Sequence, residues 1–129
     1  MHALPFSSAL NVDVPVERKN MINESRIVLN NGVSIPQVGL GVFQNPDGET
    51  TVNAVREALS VGYRHIDTAR IYGNESSVGE GLRQSGVARR DVFVTTKLWN
   101  EDIRQERTRE AFLESLDRLG LDLSLLHIS

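Results

Sequence analysis

The sequence predicts an α/β fold with a parallel sheet, about the first four units of a (β/α)₈ barrel behind an N-terminal β-hairpin. Three observations predict it. Short apolar, β-branched segments recur every 25–30 residues or so, each followed by a segment of helical periodicity, as in βαβ units. The loop after the first of these strands, "GLGVFQNPDG", lacks the G-x-G-x-x-G spacing with which a doubly wound sheet cradles a dinucleotide. Asp67, Tyr72, Lys97 and His127 stand at or just beyond the C-terminal ends of strands, the end where barrels of this type place their chemistry.

The elements follow in order. Residues 1–22 read as a flexible extension: Pro5, Ser7 and Ser8 break the apolar start and no Lys or Arg precedes it, which argues against a signal peptide. The folded domain is expected over residues 23–129. "RIVLNNGVSIP" is two β-rich arms around Asn31-Gly32, a signal for a hairpin with a type I′ turn. "QVGLGVF" is a short strand in which Gly39 and Gly41 leave room for a close approach to the backbone. "TTVNAVREALSVG" sets Val52, Val55, Ala58 and Leu59 on one helical face and stops at Gly62. "YRHID" is a strand, and "ESSVGEGLRQSG" is a helix diluted by Gly79 and Gly81. "DVFVTTKLW" is dense in β-branched and aromatic residues, as strands are. "RTREAFLESLDRLG" is a helix with Ala111, Phe112, Ser115, Leu116 and Leu119 inward and Gly120 as its stop, and "LDLSLLHIS" is a last apolar strand.

Composition narrows the classes. The 129 residues are 40% hydrophobic and 24% charged, the proportions of an ordinary globular domain. Lys and Arg number 14 against 17 Asp and Glu, a net charge of −3 without a basic stripe, so nucleic acid is not an expected partner. There is no cysteine, which excludes disulfides, thiolate metal sites and a cysteine nucleophile; no metal is expected, and a reducing cytoplasm is the expected compartment. Membrane insertion is not expected either, because no run of about 18 apolar residues occurs.

The four reactive residues suggest one pocket. A free tyrosine titrates near pH 10 or so, too weak an acid to donate a proton efficiently at neutrality. A neighbouring ammonium favours the phenolate, and a carboxylate keeps that lysine charged when it is removed from water. Tyrosine can then act as general acid toward a developing alkoxide, with a histidine orienting the same oxygen. Such a site suits hydride addition to a carbonyl, the hydride coming from a nicotinamide. Singly, each residue has an ordinary reading: Asp67 as a turn residue, Tyr72 as packing, Lys97 as a solvated strand end. His65 reads as a structural histidine, and Glu75 as a negative charge at a helix N-terminus. The combination at this spacing favours chemistry for Asp67, Tyr72 and Lys97.

At "GLGVF", "GYRHIDTARIYGNESSVGEGL", "VFVTTKLWN" and "SLDRLGLD" the chain resembles the aldo-keto reductase family over residues 25–122. The resemblance implies an NADPH-dependent reductase of aldehydes or ketones, with the hairpin plugging the N-terminal end of the barrel. It makes Tyr72 the catalytic acid/base, Asp67 and Lys97 its supporting pair, and His127 the fourth member. It assigns Val42 and Asp67 to the nicotinamide–ribose half of the cofactor, Phe43 and Trp99 to the walls of the substrate pocket, and Asn100 to polar support nearby. His127 follows Asp122 by five residues, fewer than in the family pattern, and Ile128-Ser129 replace Trp-Pro. A barrel of this type runs to about 250 residues, so a truncated member is expected, without the family's clamp on the adenosine 2′-phosphate. Its open edges predict self-association. Beside a working reductase stand two competing readings, an inactive fragment and a non-enzymatic binding or regulatory protein on the same scaffold.

Overall fold

The computed structural model describes residues 25–122 together with the backbone of 126–128. The extension expected over residues 1–22 lies outside the described residues, as does the side chain of His127. Arg26–Val28 (β1) and Ser34–Pro36 (β2) pair antiparallel, with Val28 opposite Ser34. The loop between them departs from expectation. A type I′ turn needs positive φ at both central residues, but of Asn31 and Gly32 only Gly32 has it (φ 84°). The loop is three residues long instead: Leu29 N–H donates to Val33 O at 2.7 Å and Gly32 N–H to Leu29 O at 2.9 Å. Asn31 contributes through its side chain, whose Oδ1 accepts from Val33 N–H at 3.0 Å, the local Asx bond that competes with a left-handed backbone.

Four parallel strands follow: Leu40–Gly41 (β3), His65–Asp67 (β4), Phe93–Thr96 (β5) and Leu126–Ile128 (β6), adjacent in chain order. Between them run helices Glu49–Ser60 (α1), Glu75–Gln84 (α2), Asn100–Arg104 (α3) and Thr108–Leu119 (α4). Consecutive strands that neighbour each other through helical crossovers give the layout of a partial (β/α)₈ barrel. The five-residue α3 was not visible in the helical periodicity, because its face is not apolar.

Alternation along the strands decides what each face does. Ile66, Val94 and Thr96 are buried toward the helices, where Val42, Val55, Leu59, Val78, Leu82 and Leu119 complete the core. His65, Asp67, Phe93 and Thr95 alternate with them and are only half-buried. The inward faces of α1 and α4 are close to those expected, with Val55, Ala58 and Leu59 buried in the first and Ala111, Ser115, Leu116 and Leu119 in the second. The hairpin joins the N-terminal end of the sheet: the carbonyl of Pro36 lies 3.2 Å from Nδ1 of His65, and Nε2 lies 3.0 Å from Thr95 Oγ1. With both ring nitrogens engaged and an edge-on contact to Phe93, His65 is the structural histidine its position predicts. Among the described residues, no helix is long and apolar enough to cross a membrane.

Candidate active site

At the other end of the sheet, Asp67 closes β4 and Lys97 follows β5. Asp67 pairs in register with Thr95, and Lys97 lies two residues further on, hence on the same face. Its ammonium donates to Asp67 Oδ2 at 2.6 Å and to the carbonyl of Thr68 at 3.0 Å. The two side chains are 36% and 34% exposed. A pair as open as this contributes roughly 0–1 kcal/mol to stability. Its consequence is placement: a cation is held at the mouth of the sheet.

Tyr72 closes a single 3₁₀ turn, Arg70–Tyr72, directly beyond. Lys97 Nζ lies 5.4 Å from the centroid of its ring, and the ring of Phe43 packs on it at 5.2 Å with a 53° tilt. Main-chain bonds tie the turn to the strand ends: Arg70 N–H donates to Lys97 O at 3.1 Å and Thr68 N–H to Thr95 O at 2.8 Å. Asp67, Lys97, Tyr72 and Phe43 are therefore brought together from three βα loops. Gly41 stands opposite Asp67 in register, and a Cβ built there would meet nothing within 4 Å, so the strip beside the carboxylate is open. Through Thr95 the same cross-strand row reaches the backbone of His127.

The remaining expected residues are placed differently. Val42 has its side chain fully buried in the helix-facing core, and its carbonyl accepts from Asn74 Nδ2 at 2.9 Å and Asn45 N–H at 3.1 Å. Strand alternation turns the Val42 side chain away from the strip beside Asp67. Trp99 is 41% exposed just before α3, and Asn100 opens that helix at the surface.

Two residues just beyond Tyr72 carry more than the sequence suggested. Asn74 is fully buried: its amide joins the carbonyls of Val42 and Asn45 (2.9 and 3.1 Å), and its Oδ1 accepts from Thr68 Oγ1 at 3.0 Å. It thereby stitches the Phe43 loop to the Tyr72 loop. Glu75 is at the first turn of α2 as expected, but it is buried rather than solvated. It accepts from Thr96 Oγ1 (2.8 Å), Ser115 Oγ (3.2 Å) and Arg118 Nε and Nη2 (3.0 and 2.8 Å). The signal available in the sequence was an Asn-Glu pair between a turn and a helix, which reads as capping. Its actual partners lie 21 to 43 residues away, beyond any local pattern.

A sequence model of the Aldo/keto reductase family matches residues 37–128. The chain belongs to the aldo/keto reductase family. It is similar to the 9,11-endoperoxide prostaglandin H2 reductase of Trypanosoma cruzi, 54% identical over 108 residues that are 81% of this chain and 38% of that protein. Among solved structures it is similar to an aldo/keto reductase from Brucella melitensis, with a TM-score of 0.72 and 54% identity over 76% of this chain and 37% of the other. A Bombyx mori aldo-keto reductase solved in complex with NADP matches at a TM-score of 0.69 and 41% identity, over 76% and 35% of the two chains. This aldo/keto reductase chain spans well under half the length of these relatives.

Proposed function

We propose that this chain carries the proton-donating site of an NADPH-dependent reductase that converts an aldehyde or ketone to an alcohol. The observation that supports it is one constellation: Lys97 Nζ at 2.6 Å from Asp67 and 5.4 Å from the Tyr72 ring, at the C-terminal ends of adjacent parallel strands. In this reading the Tyr72 hydroxyl gives its proton to the carbonyl oxygen of the substrate as that oxygen gains negative charge. Lys97 stabilises the phenolate that remains, and Asp67 with the Thr68 carbonyl holds the ammonium in place. Phe43 and Trp99, 64% and 41% exposed, are the apolar surfaces available to the body of the substrate.

The residues present fit the nicotinamide–ribose end of the cofactor. The glycine-lined strip at Gly41 leaves space against the strand, and the Asp67 carboxylate beside it can accept from a ribose hydroxyl. When bound, the nicotinamide supplies the hydride that no side chain carries. The NADP in the Bombyx mori relative supports the phosphorylated cofactor. A cysteine-free sequence supports a reducing cytoplasm, and β3 and β6, each with a single strand neighbour among the described residues, support self-association at the sheet edges.

The test is a titration of the purified chain with NADPH and NADH, followed by cofactor fluorescence, together with turnover of a generic aldehyde. Saturable NADPH binding is expected, and Tyr72→Phe should lower turnover about 10²–10⁴-fold while leaving cofactor binding in place. Wild-type protein that neither binds nor turns over overturns the reading.

A further inference from the structure

We propose that the Arg70–Asp102 ion pair is a positioning device for Tyr72, locking the turn that carries the tyrosine to the loop that carries Trp99. Its catalytic meaning rests on the reading of Tyr72 as proton donor. Main-chain bonds and the contact with Phe43 hold the two ends of the turn Arg70–Tyr72, and its own side chains add little beside Arg70. It is one turn long, no side chain caps it, and Ile71 points its apolar surface into solvent at 53% exposure. Main-chain bonds fix its start, but a single 3₁₀ turn resists rotation weakly.

The side chain of Arg70 supplies the missing constraint. Nη1 lies 2.5 Å from Asp102 Oδ2 and Nη2 lies 3.2 Å from Glu114 Oε2. These are ion-pair contacts without hydrogen-bond geometry, and a guanidinium flanked by two carboxylates holds the turn near α3 and α4 by charge.

Asp102 is itself unusual. Helix α3 buries Asp102 alone and leaves Ile103 51% exposed. An element oriented by the hydrophobic effect would do the reverse. Charge pairing therefore sets the orientation of α3, and a buried carboxylate paired in this way gives direction more dependably than it gives stability. The main chain carries that orientation onward: Asp102 N–H donates to Trp99 O at 3.1 Å, and Arg107 N–H donates to Asp102 O at 2.8 Å. One end of the pair thus sits two residues from Tyr72, and the other is bonded to Trp99.

The segment is anchored at its far end by α4. Glu114, which Arg70 reaches, lies 4.0 Å from Arg118 Nη1, and Arg118 in turn donates to the buried Glu75. Arg70 and Glu75 both hang from α4, with Tyr72 between them. The tyrosine is presented by a bridge fixed at both ends.

The chain has two tyrosines, Tyr63 and Tyr72, and a single tryptophan, Trp99. Labelling with 3-fluorotyrosine gives two ¹⁹F resonances, assigned with Tyr72→Phe. In Asp102→Asn the Tyr72 resonance should shift and broaden while that of Tyr63 stays in place, and acrylamide should quench Trp99 fluorescence more strongly. Turnover, measured per folded protein well below the melting point, should show kcat reduced about tenfold with an unchanged KM for NADPH. Loss of folded protein alone gives the same split but leaves the Tyr72 resonance of the folded fraction in place. Asp102→Glu should return the Tyr72 resonance toward its original position. Arg70→Gln, at a residue already a quarter exposed, is the second variant should Asp102→Asn not fold, and the same selective shift is expected. A folded variant of either kind whose Tyr72 resonance is unmoved overturns the proposal. Wild-type protein without turnover would overturn the reductase reading, and the resonance would still decide the positioning.

Discussion

Glu75 illustrates how one side chain can be both structural and close to the chemistry. Its carboxylate is 1% exposed and accepts four hydrogen bonds, two from hydroxyls and two from the Arg118 guanidinium. Replacing it with Gln keeps the volume but turns one acceptor into a donor that faces donors. The expected cost is about 1–3 kcal/mol, the penalty of leaving buried polar groups unpaired. Urea unfolding of Glu75→Gln measures it as a lower midpoint with an unchanged m-value. Asp67, Tyr72 and Lys97, which the structure brings together, stood out in the sequence because their types and spacing are rare together. The roles of Glu75 and Asn74 were not, since hydrogen bonds between residues 21 to 43 positions apart leave no periodic trace. Val42 shows the opposite limit. Its side chain belongs to the helix-facing core by strand alternation, which the resemblance alone did not indicate.

At the scale of elements, α2 shows composition read too simply. Gly79 and Gly81 look like dilution of a helix, because glycine disfavours helix by about 1 kcal/mol relative to alanine. In the fold they are contact points. A Cβ at Gly79 would stand 2.4 Å from the carbonyl oxygen of Leu119 at the end of α4, and one at Gly81 would stand 2.7 Å from Cβ of Val55 in α1. Main chain cannot swing aside as a flexible side chain can. Gly79→Ala should therefore destabilise despite its helix propensity, by about 1–3 kcal/mol through overpacking. Thermal unfolding compared with Gly41→Ala, where a Cβ meets nothing, separates this clash from a general effect of removing glycine. The apolar helices were readable because one face repeats every three or four residues. Helix α3 was not, since a helix that buries an aspartate has no such face. The hairpin was readable in place but not in turn type, because Asn31 uses its side chain where the pattern expected its backbone.

At the scale of the molecule, the parallel sheet followed from the alternation of elements, and the barrel order from the missing G-x-G-x-x-G as well. That order separates two kinds of work between the ends of the sheet. At the N-terminal end, His65 joins the hairpin to β5 through Pro36 and Thr95 and packs edge-on against Phe93 at 5.3 Å. At the C-terminal end, Lys97 and Asp67 are about a third exposed and stabilise the fold little. Barrels of this type keep chemistry at one end and stability at the other, so the two substitutions should dissociate. His65→Ala removes two hydrogen bonds and a ring contact, and should lower the melting temperature by roughly 4–8 °C for each kcal/mol lost in a domain of this size. Correctly folded His65→Ala should still bind NADPH and reduce an aldehyde below its melting point, since its ring faces the hairpin. Lys97→Met should melt close to wild type, because the pair it removes contributes little, yet lose the turnover that depends on the cation beside Tyr72. Melting curves and aldehyde turnover measured on the two variants side by side decide the matter. Equal losses of stability and activity in both would mean that the two ends of the sheet are not independent, and that the Asp67–Lys97 pair belongs to the scaffold.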